Sequence, residues 1–142
     1  MTDKTDTYLK CCLYFTANEL ARKITRMAEQ EFKLTGLSPS HAFLLMLVNE
    51  QPSITPGQLA KSMALKPSTV TRFIEALERQ DLVKRTSEGR RVLVEATKNG
   101  AKLLPKIRKA WKSLYEAYSK VLGKKEGDKL TSLIHQAAEA LD

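Results

Sequence analysis

Apolar residues recur at helical spacing along most of the chain, and the longest such stretches lie near its two ends. Residues 7–33 contain no glycine or proline and place apolar side chains on more than one side of a helix. Residues 97–122, and a final segment that begins around residues 125–128, each carry one apolar side. A helix that is apolar on two sides needs cover on both, so the N-terminal helix predicts contact with a second subunit.

The middle of the chain predicts shorter elements. Ser38 and Pro39 have the residue types preferred at the N-cap and the first position of a helix. The run that follows, residues 42–48 (AFLLMLV), has no polar side, and we expect it to be buried. Ile54 is expected to begin a short strand that joins a hairpin further along the chain.

Residues 55–80 follow the pattern of two short helices joined by a tight turn. Thr55, Pro56 and Gln58 fit the N-cap, the first position and the capping box of the first helix. Pro67 opens the second helix, whose core-facing side has the i, i+3, i+4, i+7 spacing of Val70, Phe73, Ile74 and Leu77. Its opposite side carries Ser68, Thr71, Arg72, Glu75 and Arg79. The arrangement is typical of a helix-turn-helix.

A basic hairpin is predicted directly after this motif. Residues 82–86 and 92–96 have the composition of strands, and residues 87–91 (SEGRR) form a polar turn between them. The turn would present Arg90 and Arg91 to backbone phosphates or to a minor groove. A hairpin in this position is the wing of a winged helix.

Charge and composition favour a polyanionic partner. The chain of 142 residues has a formal net charge of +8, with 42% hydrophobic and 28% charged residues. Residues 84–112 hold ten basic and two acidic residues, so the whole excess lies in the wing and the helix that follows it. No apolar run is long enough for a membrane span and the N-terminus lacks a signal-peptide pattern. We therefore expect a cytoplasmic protein with no membrane partner.

Four segments carry a family resemblance. They are the helix pair in residues 55–80, the phrase ERQDLVKR (78–85), the wing element Glu88-Gly89-Arg90, and the phrase ATKNG (96–100) that leads into the long helix. Together they resemble the MarR family of winged-helix transcriptional regulators, and the resemblance covers nearly the whole chain. This wing is shorter than is usual in the family, and Glu88 stands where aspartate is more common.

The resemblance implies a mainly α-helical fold with a small β-hairpin wing. Residues 1–142 would form a single MarR-like domain, with a winged helix-turn-helix DNA-binding module at about 38–97 and dimerisation helices at about 7–33 and 98–142. It also implies a sequence-specific transcriptional regulator, most often a repressor in this family. Such a protein acts as a homodimer on a pseudo-palindromic operator in double-stranded DNA and is released by a small aromatic ligand.

The residues expected to contact DNA lie on the second helix of the motif and on the wing. Base edges are expected to be reached by Ser68, Thr69, Thr71 and Arg72, of which Arg72 suits a bidentate contact with guanine. The cations around them are expected to contact the DNA backbone: Lys66, Arg79, Arg85, Arg90 and Arg91. Glu75 and Glu78 are alternatively expected to pair with arginines on the helix surface.

The two adjacent cysteines leave an alternative open. Cys11 and Cys12 lie in the phrase CCLYFTANEL (11–20), which is similar to the setting of the reactive cysteine in MarR relatives that sense organic hydroperoxides. Those relatives have tyrosines at the start of the second helix, where this chain has Ser38 and His41. The cysteines therefore predict either a thiol-based redox sensor or two small apolar side chains that are buried.

Two further classes of function differ in what they require of the sequence. A winged-helix module that binds another protein would share the same helices and would show no DNA sequence preference. An enzyme is not predicted, because the chain has no nucleophile elbow and no phosphate-binding glycine loop. The two histidines, His41 and His135, have no ligand-type residues at metal-binding spacing. No metal and no cofactor is predicted.

Overall fold

The computed structural model describes residues 4–142, and their fold is mainly α-helical with one two-stranded antiparallel sheet, as predicted. In chain order the elements are α1 (Lys4–Lys10), α2 (Leu13–Phe32), α3 (Pro39–Glu50), α4 (Pro56–Met63), α5 (Pro67–Arg79), β1 (Val83–Glu88), β2 (Arg91–Ala96), α6 (Lys98–Leu122) and α7 (Lys124–Ala140). Contacts divide them into a winged-helix unit, residues 32–112, and a helical unit, residues 4–31 and 113–142. Residues 1–3 of the predicted domain lie outside the described residues.

The helix predicted over residues 7–33 is not continuous, because the chain breaks between α1 and α2 at Cys11 and Cys12. Its predicted end is nearly correct, since α2 ends at Phe32 and Lys33 begins a short 3₁₀ helix. Cys12 N donates to Leu9 O over 3.1 Å, a bond that tightens the last turn of α1. Cysteine is a weak helix former, and α1 has no buried side chain that would hold it in line with α2.

An apolar core holds the winged-helix unit together. Its centre is α3, where Ala42, Leu44 and Leu45 are completely buried and Val48 nearly so, while the other three residues of the run 42–48 are half-buried. The expected burial of this run is therefore confirmed for four of its seven residues. Ile54 joins the sheet as predicted, because Val94 N donates to Ile54 O over 2.8 Å. The surrounding elements contribute the buried side chains of Leu59, Val70, Ile74, Leu77, Val83 and Ile107. Each side chain of this size stabilises the fold by about 1.5–3 kcal/mol.

The helix-turn-helix begins at the predicted capping box. Gln58 N donates to Thr55 Oγ1 over 3.1 Å, and Thr55 N donates to Gln58 Oε1 over 2.9 Å. Ala64 ends α4 in the left-handed conformation, with a φ of 53°, which turns the chain sharply. Pro67 then occupies the start of α5, as predicted.

The wing has a tighter turn than the sequence predicts. The turn contains only Gly89 and Arg90, because Ser87, Glu88 and Arg91 pair within the strands. Gly89 has a φ of 63°, a conformation that glycine adopts without steric cost and that two-residue hairpin loops require. The predicted turn over residues 87–91 is therefore too long.

The base of the wing joins α6 through a close contact between Leu82 and Gly100. Thr97 N donates to Leu82 O over 3.0 Å, and Gly100 N donates to Thr97 Oγ1 over 3.1 Å, as expected of a helix cap. A Cβ on Gly100 would lie 2.1 Å from Leu82 O, so only glycine fits. Asp81 accepts two further bonds, from Thr97 Oγ1 at 2.6 Å and from Asn99 Nδ2 at 2.9 Å. These contacts fix the first turn of α6.

The helical unit has very little core of its own. Among its described residues, only two apolar side chains are buried, those of Ala28 and Leu114. Tyr115 Oη donates to Asp128 Oδ1 over 2.9 Å and so connects α6 to α7. The large apolar side chains that stay exposed include Tyr8, Leu13, Tyr14, Leu133 and Ile134. The unit therefore exposes most of the apolar side that its helices share.

Replacing Gly100 by alanine is expected to lower the free energy of unfolding by about 1–3 kcal/mol, since the new methyl group overlaps the Leu82 carbonyl. Gly57→Ala is the matched control, because a Cβ there meets only Thr55 Oγ1, at 4.0 Å. In a helix that change should stabilise by about 0.5–1 kcal/mol. Urea unfolding followed by circular dichroism measures both. Equal stability of the two variants would contradict the close contact.

Candidate nucleic-acid interface

The α5 helix is fixed by one apolar stripe and presents its opposite side to solvent. Val70 and Leu77 are completely buried, and Ile74 is 1% exposed. Ser68 and Arg72, which are one helical turn apart, are exposed. The burial of the stripe therefore determines the direction in which these two polar side chains point.

The first turns of α5 combine hydrogen-bonding groups with positive charge. The N-cap is Lys66, and no side chain caps the first N–H groups, so the helix terminus favours an anion. Arg72 Nη2 lies 3.5 Å from Thr69 Oγ1, a long contact that leaves the guanidinium able to bind elsewhere. Thr71 Oγ1 donates to Pro67 O over 3.0 Å, so towards a partner this hydroxyl can only accept.

Two arginines near the C-terminal end of α5, Arg79 and Arg85, were predicted to contact the DNA backbone, and their surroundings differ. Arg79 is exposed at the end of α5. Arg85 Nη2 lies 2.7 Å from Glu78 Oε1, and this ion pair connects β1 to α5. Arg85 therefore has fewer N–H groups left for a phosphate. The expected pairing of Glu78 along its own helix is wrong, since its partner lies in the wing.

The tip of the wing carries two exposed arginines. Arg90 is the second residue of the turn, and Arg91 opens β2. None of the ion pairs within residues 4–142 includes either side chain. Lower on the wing, Lys84 Nζ lies 3.8 Å from Glu95 Oε2. The unpaired positive charge of the hairpin is thus concentrated at its tip.

One contact that supports α5 from the core side escaped the sequence reasoning. His41 of α3 stacks on Phe73 of α5, with ring centroids 4.3 Å apart, and its Nδ1 forms a short hydrogen bond with Ser38 Oγ. Burial lowers the pKa of His41 below its usual value of 6.5. The sequence placed His41 in the first turn of α3, but the contact with Phe73 is tertiary and leaves no local pattern.

The remaining candidate groups are the two cysteines and possible metal ligands. The thiols of Cys11 and Cys12 are free and exposed in the single chain, so the alternative of buried packing is wrong within one subunit, and thiol sensing stays a prediction. Across the described part of the chain, no three His, Cys, Asp or Glu side chains are grouped as metal ligands. No helix of that part is long and apolar enough to cross a bilayer.

The helix pair α4–α5 and the hairpin that follows it define a winged helix-turn-helix protein. Residues 37–89 match the model of the MarR family, a segment that includes α3, α4, α5 and β1. Over these residues the chain matches the MarR family of transcriptional regulators, and the resemblance inferred from the sequence is confirmed.

Known proteins extend this similarity over most of the chain. The HTH-type transcriptional repressor MdtR of Bacillus subtilis (strain 168) is 27% identical over 126 residues, which are 84% of this chain and 81% of MdtR. CouR from Rhodococcus jostii RHA1, solved with p-coumaroyl-CoA, has a TM-score of 0.75 and 21% identity over 94% of this chain and 93% of CouR. The S. aureus MepR–DNA complex has a TM-score of 0.78 and 17% identity over 92% of this chain and 98% of MepR. All share the fold.

Protonation of His41 is expected to reduce stability at low pH. Its pKa is lower in the folded chain than in the unfolded chain, so the unfolded state binds the proton more tightly. The stabilisation is therefore complete above about pH 6.5, the usual value, and is lost as the pH falls through the folded pKa. His41→Gln should flatten the fall in unfolding free energy between about pH 7 and pH 5. Urea unfolding at both pH values measures this change. An equal change of unfolding free energy with pH for His41→Gln and the wild type would contradict the prediction.

Proposed function

We propose that this protein is a transcriptional repressor that binds double-stranded DNA sequence-specifically, as a homodimer on a pseudo-palindromic operator. The observation that carries the proposal is the exposed side of α5, where Ser68 and Arg72 face solvent while Val70 and Ile74 hold the helix in the core. A short, firmly packed helix with such a side fits the major groove. The names of the repressor MdtR and of the MepR–DNA complex support the same class of function.

Base reading and backbone binding are assigned to different side chains. Arg72 is the best placed to donate two hydrogen bonds to guanine, a contact worth about 1–3 kcal/mol of discrimination against other bases. Ser68, Thr69 and Thr71 lie beside it on the first turns of α5. The cations Lys66, Arg79, Arg90 and Arg91 contact phosphates or, from the wing tip, the minor groove. Arg85 contributes less, because Glu78 already binds it.

The proposed homodimer forms through the helical unit. That unit has too few buried apolar side chains to explain its length, while Leu133 is 55% and Ile134 is 49% exposed. An apolar groove of about 480 Å³ along α2 and α7 is bordered by Leu13, Ala17, Leu20, Ile24, Leu130 and Ile134. A two-fold related copy would cover the same side of both chains. Each α5 would then read one half-site, about one helical turn of DNA apart.

Release by a small aromatic ligand is supported by a cavity in the helical unit. The cavity has a volume of about 450 Å³, which is within the usual range for ligand sites of about 300–1,000 Å³. Aliphatic side chains of α2 and α7 form most of its wall, and Tyr118, Thr131 and His135 add polar groups that can orient an aromatic acid or phenol. Release requires the ligand to bind better to a dimer geometry that does not fit the operator. The structure of CouR with p-coumaroyl-CoA supports a ligand with an aromatic part.

Exposure of Cys11 and Cys12 favours thiol-based regulation as a second candidate. Oxidation by an organic hydroperoxide would convert one exposed thiol to a sulfenic acid, which its neighbour or a second chain can then attack. A protein-interaction module is the third candidate, and the DNA selection described below separates it from both.

Selection of bound duplexes from a random pool at about 150 mM salt tests the proposed function, since this salt screens part of the nonspecific phosphate attraction. We expect an inverted repeat to be enriched. On that sequence Arg72→Ala should lose about 1–3 kcal/mol of discrimination against a mutated half-site. Arg90→Ala should instead weaken binding to selected and random duplexes alike.

Arg22→Ala is the matched control for both variants, because it removes the same charge from an exposed position on α2. It should leave both affinities nearly unchanged. If no sequence is enriched, the proposal of a sequence-reading regulator is wrong. If Arg72→Ala and Arg90→Ala reduce binding equally on selected and random DNA, the assignment of roles is wrong.

The double change Leu133→Lys and Ile134→Lys is expected to convert a dimer into a monomer, because it puts two charges into the side that the partner covers. Sizing with light scattering at micromolar concentration measures the mass. Gln136→Lys, on an exposed position of the same helix, should remain dimeric. A wild-type monomer under these conditions would contradict the proposed dimer.

A further inference from the structure

The first half of α6 carries a dense positive charge that the proposed recognition surface does not use. Residues 98–112 contain six basic and no acidic side chains. Four of them form a row on one side of the helix, and all four are exposed: Lys98, Lys102, Lys106 and Lys109, here called the lysine row. Ile107, on the opposite side of the helix, is completely buried. The lysine row therefore faces solvent.

This arrangement costs stability in two ways. Lysines four residues apart on a helix repel each other, and here Lys98, Lys102 and Lys106 follow at that spacing. Lys98 also stands at the first position of α6, where the helix dipole disfavours a cation. Among residues 4–142, no acidic side chain forms an ion pair with the lysine row. A surface that opposes folding in this way is explained by an anionic partner.

The position of the lysine row connects it with the recognition helix. Asn99, beside Lys98, bonds to Asp81, which lies two residues after Arg79 at the end of α5. The row therefore starts at the base of the wing. The paired strands, each of six residues and so about 20 Å long, separate this base from the arginines at the tip. A duplex bound at the wing tip would therefore contact the lysine row through a different segment of the DNA.

We propose that the lysine row is a second DNA-binding surface, which contacts backbone phosphates of the duplex that flanks the operator. Four lysines extend over about 16 Å of helix, and each can neutralise one phosphate of a duplex that lies along the row. Lysine carries a compact charge on a flexible stem, which suits contact with phosphates irrespective of sequence. The inference rests on the proposed function, because it assumes a DNA-bound winged-helix unit.

The test compares two lengths of the selected duplex, the shortest that the protein binds and the same sequence extended by roughly one helical turn, about 10 base pairs, at each end. The variant is the triple change Lys102→Gln, Lys106→Gln and Lys109→Gln. The matched control is Lys120→Gln, Lys125→Gln and Lys129→Gln, which removes the same charge from exposed positions of the helical unit. Affinities are measured over a range of salt concentrations, and thermal unfolding checks that all proteins fold.

The wild type should bind the extended duplex more tightly than the short one and with a steeper salt dependence. The variant should bind the short duplex like the wild type, but lose the gain from the extension and about 2–3 units of the salt slope, since each phosphate contact contributes about 0.9. It should be at least as stable as the wild type, because repulsion is relieved. The control should keep the gain from the extension.

Three results would overturn the inference. The wild type could bind both lengths equally, or the variant and the control could lose the same affinity, or the variant could bind the extended duplex like the wild type. In each case binding of the short duplex would leave the proposed function intact. Absence of binding to any duplex would overturn both.

Discussion

The orientation of everything that the winged-helix unit presents to a partner depends on the burial of one stripe of α5. Val70, Ile74 and Leu77 have almost no exposed surface, so a rotation of α5 would bring apolar side chains into water at about 1.5–3 kcal/mol each. The stack of His41 on Phe73 adds support from α3. Core packing of the apolar stripe therefore fixes the orientation of the polar side of α5, and the polar residues do not contribute to it.

A second constraint acts where the wing meets α6. The carbonyl of Leu82 approaches Gly100 so closely that any side chain there would overlap it, and Asp81 accepts two bonds from the same turn of α6. Residue 81 lies two positions after the end of α5, so α5, the wing and α6 are joined within a few residues. The phrase ATKNG is explained by this junction: its threonine caps the helix, its asparagine bonds to Asp81 and its glycine permits the approach.

Local chemistry explains which parts of the fold could be predicted. The capping box at Thr55 and the start of α5 at Pro67 depend on neighbours in sequence, and the structure confirms both. The run 42–48 is confirmed as core at four of its seven positions. The break at Cys11 and Cys12 was missed because it reflects missing tertiary support for α1 rather than a strong local signal. Tertiary contacts also place Arg85 against Glu78 and His41 against Phe73, and no spacing rule contains them. The exposed side of α5 was predictable from helical periodicity alone.

The uneven distribution of core between the two units bears on how binding would be regulated. The winged-helix unit has a continuous core that can keep its internal geometry, whereas the helical unit exposes Leu133, Ile134 and other aliphatic side chains, which the proposed dimer would cover. In the proposed dimer, the spacing of the two α5 helices depends on how these side chains pack. A ligand bound against Leu20 and Ile24 would change the packing of the side chains that also border the dimer groove. Typical coupling energies of about 1–3 kcal/mol are within reach of such repacking, so regulation would not require either unit to unfold.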